Sequence, residues 1–338
     1  MKALILLICV NFFLCCESYS QSNCPCVYGR SLFWTNATGN GLWQDGNNWL
    51  LQTIPSPYDT CGGQIISPRY CDKVFIPNLG SAQTINLGAE GLVIGYGQRP
   101  PGLPSQCRTL ELFDASVYFN GPQITVAGVD GNLSLRGTSE IRTQPGANFN
   151  VGGGFHPLPN RFISLSMTSD CGIYAGQIFI SGETEITRSK LDATRILLGG
   201  GTDDMEISIQ NSNIYGDINY DTGKVSLFAV NIYPRTQLYL PAGIVSTNCN
   251  VIFDTLVSSN APSIFLGEGR AFGGNIYSNK KNNDFTLFLE GAGNGLRYIN
   301  GELKIDAGTL NITSPYQFFK VTASPAVNIN VKSNILIK

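Results

Sequence analysis

From about Ser81 onward, apolar and polar positions alternate in short runs. Examples are Thr84-Ile85-Asn86-Leu87, Asn132-Leu133-Ser134-Leu135, Gln177-Ile178-Phe179-Ile180, Glu206-Ile207-Ser208-Ile209, Leu303-Lys304-Ile305 and Val327-Asn328-Ile329-Asn330-Val331. Apolar side chains two residues apart turn one face to a core and the other to water, which is the periodicity of a strand. Gly, Asn, Asp and Ser separate the runs, and no amphipathic helix of ordinary length is evident. The pattern predicts an all-β body over residues 81–338.

The spacing of these runs sharpens the prediction. Leu133/Leu135 recurs as Phe149/Val151, Ile178/Ile180 as Ile196/Leu198, and Ile207/Ile209 as Val225/Leu227; further on, Leu287 recurs as Ile305 and Ile312 as Ile329. A drifting repeat of about 16 to 18 residues is what a single-stranded parallel β-solenoid, or β-helix, produces when each coil stacks like residues on like. The competing fold is an antiparallel β-sandwich. The tight turns it needs are scarce, Asn120-Gly121, Asp130-Gly131 and Asn300-Gly301 being the main cases. Coils of about 18 to 25 residues predict roughly 10 to 14 coils, a rod of order 50 to 65 Å. Cys171 and Cys249 would then lie several coils apart, beyond disulfide reach, as small buried side chains.

The chain opens differently. Lys2, the apolar stretch from Ala3 to Val10 and the small-x-small end Ser18-Tyr19-Ser20 predict a secretory signal peptide over residues 1–20. No later segment is expected to span a bilayer, and the mature chain is expected to be secreted and extracellular. Of the ten cysteines, five of those that remain crowd before residue 110: Cys24, Cys26, Cys61, Cys71 and Cys107. In an oxidising compartment these are disulfide candidates, with Cys61 to Cys71 the easiest short loop and the connectivity left open. Three sequons, at Asn36, Asn132 and Asn311, are candidate N-glycosylation sites.

All three tryptophans, Trp34, Trp43 and Trp49, fall in one short stretch. A solenoid exposes core and unpaired backbone at its first coil, and large aromatics on a disulfide-tied module over residues 21–80 would cover that end. A carbohydrate-stacking platform is the alternative use of such rings. The stretch from Phe33 to Trp49, followed by Pro55-Ser56-Pro57 and Cys71-Asp72-Lys73-Val74-Phe75-Ile76-Pro77, resembles the Trp-rich opening of secreted β-solenoid proteins. It is similar to bacterial surface adhesins and to the extracellular modules of the amnionless family. The resemblance covers residues 33–80 and implies an extracellular β-rich protein that opens a solenoid. The motif has no catalytic residues to carry over, and a cysteine-rich region and membrane span like those that follow in amnionless are not expected in residues 81–338, which argues against a receptor-anchoring role.

Composition narrows the function classes. Of 338 residues, 43% are hydrophobic and only 14% charged, with 22 basic against 24 acidic side chains and a pI near 5.5. No net positive field attracts phosphates, which argues against a nucleic-acid binder. The lone histidine, His156, sits in a turn-like Gly154-Phe155-His156-Pro157, and no Gly-x-Ser-x-Gly elbow occurs. The adjacent acids Asp203 and Asp204 follow a glycine run and read as a solvated turn. The runs at 152–154 and 199–201 read as corners, without the Lys-Ser or Lys-Thr of a phosphate cradle.

No cofactor, metal or catalytic residue is therefore expected. The sequence predicts a structural or adhesive glycoprotein of an extracellular matrix or coat, with extracellular proteins or glycans as partners. The strand-like runs at 327–331 and 334–338 have no evident polar cap after them: either the sequence is a fragment, or the last coil is expected to offer an edge for self-association. The alternatives are an amnionless-like partner of a β-rich receptor and a polysaccharide-acting β-helix enzyme.

Overall fold

A computed structural model describes residues 29–51, 67–69, 71–95, 105–127, 131–152, 163–200, 206–240 and 244–253. Beyond these it describes the strands Ser263–Leu266, Ala271–Ser278, Phe285–Leu289, Tyr298–Asn300, Leu303–Ile305, Leu310–Thr313, Ile329–Val331 and Ile335–Ile337. The fold is all-β and its sheets are parallel; among the described residues one strand pair alone is antiparallel. That pairing excludes the antiparallel sandwich.

The chain visits three stacks in turn. One coil consists of Thr109–Phe113 in the first stack, Ser116–Asn120 in the second and Gln123–Val126 in the third. The next coil repeats the order with Asn132–Arg136, Glu140–Thr143 and Asn148–Val151, each pairing in parallel with its predecessor. Further along, Lys190–Leu198 and Asn213–Tyr220 are long enough to serve the second and third stacks as one bent strand. In most strands whose side chains are described, alternate residues point inward. Columns such as Val117, Ile141, Ile173, Leu191, Ile214 and Ile232 are buried to within 1%. Each such side chain contributes about 1.5–3 kcal/mol by leaving water.

Two of the five spacings found in the sequence are true coil repeats: Ile178 stacks on Ile196 and Ile207 on Val225. The other three join strands that do not stack. Leu133 pairs with Leu165, while Phe149 belongs to the third stack of the same coil and pairs with Ile178. Leu287 pairs with Ile312, Ile312 with Ile337, and Ile305 with Ser278 and Val331. Three similar strands per coil, with corners of unequal length between them, make a strand look like its neighbour around the coil as readily as like its neighbour along it.

Between the first and second stacks the chain turns on one left-handed residue. Asp114, Arg188, Asn211, Ala229 and Asn248 all have φ between 47° and 53°. Left-handed backbone costs about 1–2 kcal/mol for ordinary residues such as Arg and Ala. Here it is held by bonds to the next coil: Arg188 N–H donates to Gln210 O at 3.0 Å and Ala229 N–H to Thr247 O at 2.9 Å. The residue that follows each is buried: Ala115, Ser189, Ser212, Val230 and Cys249; Ser139 and Cys171 hold the same position on two further coils. Ser189 Oγ donates to Thr187 O at 2.8 Å and Ser212 Oγ to Gln210 O at 2.6 Å. Cys171 Sγ reaches Ser169 O at 3.2 Å and Cys249 Sγ reaches Thr247 O at 3.4 Å. Both cysteines are free and buried; Cys171 stands between Ser139 and Ser189 of the neighbouring coils, and Cys249 beside Val230 and Gly274.

The first coil is closed by three different segments, one per stack. Trp49–Leu51 runs antiparallel along the edge of Ser31–Trp34. Leu42 bridges Asn86, with Trp43 N–H donating to Asn86 O at 3.2 Å and Asn86 N–H to Gly41 O at 2.7 Å. Gln106–Cys107 pairs with Leu92–Ile94. These segments cover the edges of Ser31–Trp34, Gln83–Asn86 and Leu92–Ile94 with short, differently oriented pieces of chain, which shortens the open edge at that end. Asp72 knots the region together: its buried carboxylate accepts from Arg30 N at 3.0 Å, Arg30 Nη2 at 2.6 Å and Arg69 N at 2.8 Å.

Candidate functional site

The tryptophans lie inside this closure. Trp34 and Trp43 are fully buried and Trp49 is 2% exposed. Trp49 meets both others edge-on, with centroids 4.8 and 4.9 Å apart, and its Nε1 donates to Trp43 O at 2.9 Å. No ring is presented to solvent, so the stacking-platform alternative fails and the rings act as core.

The other residues singled out in the sequence divide as follows. Cys107 is free and fully buried, which corrects its place among the disulfide candidates; burial pushes its thiol well above the ordinary range, and Asp72 adds to that. Its short strand closes the third stack, so its sulfur points into apolar core. Cys71 is buried and disulfide-bonded. Since Cys107, Cys171 and Cys249 are free, its partner lies outside the described residues. Cys24, Cys26 and Cys61 lie outside them too, as do residues 1–20, His156, Asp203 and Asp204.

Two sequon asparagines carry structural hydrogen bonds. Asn36, at φ 50°, donates from Nδ2 to Gln83 Oε1 at 3.3 Å and accepts from Gly41 N at 3.1 Å. Asn132 Nδ2 donates to Ile163 O at 2.6 Å. The side chain of Asn311 is outside the described residues. Gly199 and Gly200, both at positive φ, form a corner in which Gly200 N–H donates to Thr222 O at 2.9 Å. Among the described residues no group of three or more His, Cys, Asp or Glu side chains could hold a metal, and no helix is long and apolar enough to cross a membrane.

What the sequence reading missed is the outer face of the second stack. Asn213, Asn231 and Asn250 occupy one position on successive coils, and their side chains form a ladder: Asn231 Nδ2 donates to Asn213 Oδ1 and Asn250 Nδ2 to Asn231 Oδ1, at 3.0 and 2.9 Å. Two residues on, Tyr215 and Tyr233 stack at 4.5 Å with planes 5° apart. Toward the first coil Asp192 takes the tyrosine position and Lys190 the asparagine position. Lys190 Nζ lies 4.4 Å from the Tyr215 ring and 4.8 Å from that of Tyr174, whose ring also meets the Arg142 guanidinium at 4.0 Å. Gly172 makes room for it, because a Cβ there would come within 2.6 Å of the Tyr174 ring. The spacing of eighteen and nineteen residues between Asn213, Asn231 and Asn250, and of eighteen between Tyr215 and Tyr233, was a signal available in the sequence.

Beside this column, at the corner between second and third stacks, lies a groove of about 650 Å³. Tyr118, Arg142, Gln144, Tyr174, Asp192 and Arg235 contribute to its walls, and Ala175, Gly176 and Thr194 also line it. Arg235 reaches back across the coil of Asp217 to Asp192 Oδ1 at 3.0 Å and Ala193 O at 3.1 Å. Glu140 accepts from Arg142 Nη2 at 3.0 Å and from the Tyr174 hydroxyl at 3.3 Å. Burial, reinforced by the Glu140 charge, raises the Tyr174 pKa above its usual value, so the phenol stays a donor. Arranged this way, the site offers guanidinium, hydroxyl and amide groups to a ligand lying across several coils.

No family model, curated protein or solved structure matches this chain.

Proposed function

We propose that the protein is a secreted structural or adhesive component of an extracellular matrix or coat, a β-solenoid with a disulfide-tied N-terminal cap that binds glycans or proteins along its side. The observation that carries this reading is the repetition of Asn213, Asn231 and Asn250, and of Tyr215 and Tyr233, at fixed positions on consecutive coils. Such repetition builds a long polar and aromatic surface from short units, which is how stacked-coil proteins present extended binding faces. Secretion is supported by the signal-like residues 1–20, and the cap by the bonded sulfur of Cys71. The Trp-rich resemblance over residues 33–80 points the same way.

Expression of the full chain in a secreting eukaryotic cell tests the reading. The expected product is in the medium, processed near Ser20, and retained on the deposited extracellular matrix. Unprocessed chain held inside the cell contradicts it.

A further inference from the structure

We infer that the groove between the second and third stacks is a binding site for an anionic saccharide chain, with the guanidinium groups of Arg142 and Arg235 as the anion contacts. The inference rests on the surface-binding reading above and names the ligand class of one part of that surface.

Three observations carry it. First, the ionised side chains that line the groove do not cancel: two guanidinium groups, Arg142 and Arg235, stand against one carboxylate, Asp192, in a chain whose formal net charge is -2. Asp192 is shared by Lys190 at 3.2 Å and Arg235 at 3.0 Å, and Glu140 pairs with Arg142. Second, both guanidinium groups keep hydrogen-bonding capacity. A guanidinium has five N–H donors in a planar fork that matches carboxylate and sulfate oxygens. Arg142 directs its hydrogen bonds, from Nε and Nη2, to one Glu140 oxygen, and Arg235 uses Nε and Nη2 for Ala193 O and Asp192. Their side chains are 49% and 39% exposed, so the unused edges meet solvent.

Third, the shape and lining favour a saccharide over a peptide. Strand addition needs a free sheet edge, and on this side the backbone of each coil is paired with the coils before and after it. Helix docking needs an apolar trough, whereas Thr143, Gln144, Gln177 and Thr194 bring hydroxyl and amide groups to this one. The Gln144-Pro145-Gly146 corner and Asp192, where the Arg235 guanidinium is held, lie two coils apart, about 10 Å at the strand spacing, which leaves room for a short saccharide lying across the coils. The phenol of Tyr118 adds a partly buried aromatic edge beside Arg142.

The test is calorimetric titration of the full chain with size-defined oligosaccharides of three kinds: a uronate oligomer, a sulfated oligomer and a neutral oligomer of equal length. The inference expects binding of at least one anionic oligomer, weakened at high salt, and at least tenfold weaker binding of the neutral one. Arg142→Ala and Arg235→Ala are each expected to weaken anionic binding at least tenfold. Since Arg235 also braces its corner, Arg235→Lys and thermal melts accompany it, and the lysine variant is expected to melt like the parent and bind with intermediate affinity. Whether uronate or sulfate binds more tightly identifies the anion. Equal binding of the neutral oligomer, no binding of either anionic one, displacement by an equally charged acidic peptide, or indifference to both alanine variants overturns the inference. If matrix retention survives while these oligomers fail to bind, the groove assignment falls and the wider surface reading stands; if matrix retention also fails, both fall.

Discussion

Asn231 Nδ2 donates to Asn213 Oδ1 at 3.0 Å, one coil back along the stack. The Asn231 Oδ1 in turn accepts from Asn250 at 2.9 Å. The Asn231 amide uses both ends, so this middle rung cannot be removed without taking a ladder partner from Asn213 Oδ1 and from Asn250 Nδ2. Replacing Asn231 by Ala is expected to cost about 1–3 kcal/mol. Urea denaturation checks this; an unchanged midpoint would mean that water replaces the ladder at no cost.

Cys171 and Cys249 stand in a column that also holds Ala115, Ser139, Ser189, Ser212 and Val230, donating to the same corner carbonyls that the serines serve. Cys171→Ser and Cys249→Ser are therefore expected to change stability by less than about 1 kcal/mol, with Cys171→Leu costing about 1–3 kcal/mol through overpacking. Burial raises both thiol pKa values, so thiolate is scarce at pH 8 and reaction with a thiol reagent is expected only as the chain unfolds. Rapid labelling of the folded protein would contradict the assignment.

Asp72 accepts from Arg30 and Arg69 while fully buried. Asp72→Asn leaves the Arg30 guanidinium buried without its counter-charge, which typically costs 3–5 kcal/mol, roughly the loss expected. The loss is expected to open the first coil. Amide exchange is the check, with protection falling first in Ser31–Trp34 and Lys73–Pro77; uniform loss along the chain would argue against a local knot.

Gly216 turns the corner beneath Arg235 at φ +145°, and a Cβ there would sit 2.3 Å from Ala193 O. Gly216→Ala is expected to cost about 1–3 kcal/mol from backbone strain, with the clash adding to it. A melt within a degree of the parent would show that the corner relaxes freely.

Alternation at Leu133/Leu135 or Ile207/Ile209 made the strands and their buried faces legible, because a two-residue period has one physical cause. Register was less legible. Ile178 and Ile196 stack eighteen residues apart, but the partners Leu133 and Leu165 are thirty-two residues apart, a separation that no local pattern measures. The tryptophans marked the closed end, although only the structure places Trp49–Leu51, Leu42 and Gln106–Cys107 on three different edges. The groove was illegible because it depends on Arg142, Asp192 and Arg235, which are far apart in sequence and meet only when the coils are in register.

That register underlies everything proposed for the lateral face, and paired cysteines test it most directly. Glu206–Gln210 and Lys224–Phe228 run in parallel, with Glu206 beside Lys224 and Gln210 beside Phe228. In a Cys171→Ser, Cys249→Ser background, mild oxidation is expected to link Glu206→Cys to Lys224→Cys and Gln210→Cys to Phe228→Cys, since adjacent rungs lie about 4.8 Å apart, within disulfide reach. The crossed pair Glu206→Cys with Phe228→Cys is expected to stay reduced. Linking of the crossed pair, with neither direct pair closing, would mean antiparallel strands and would contradict the coiled stack on which the account rests.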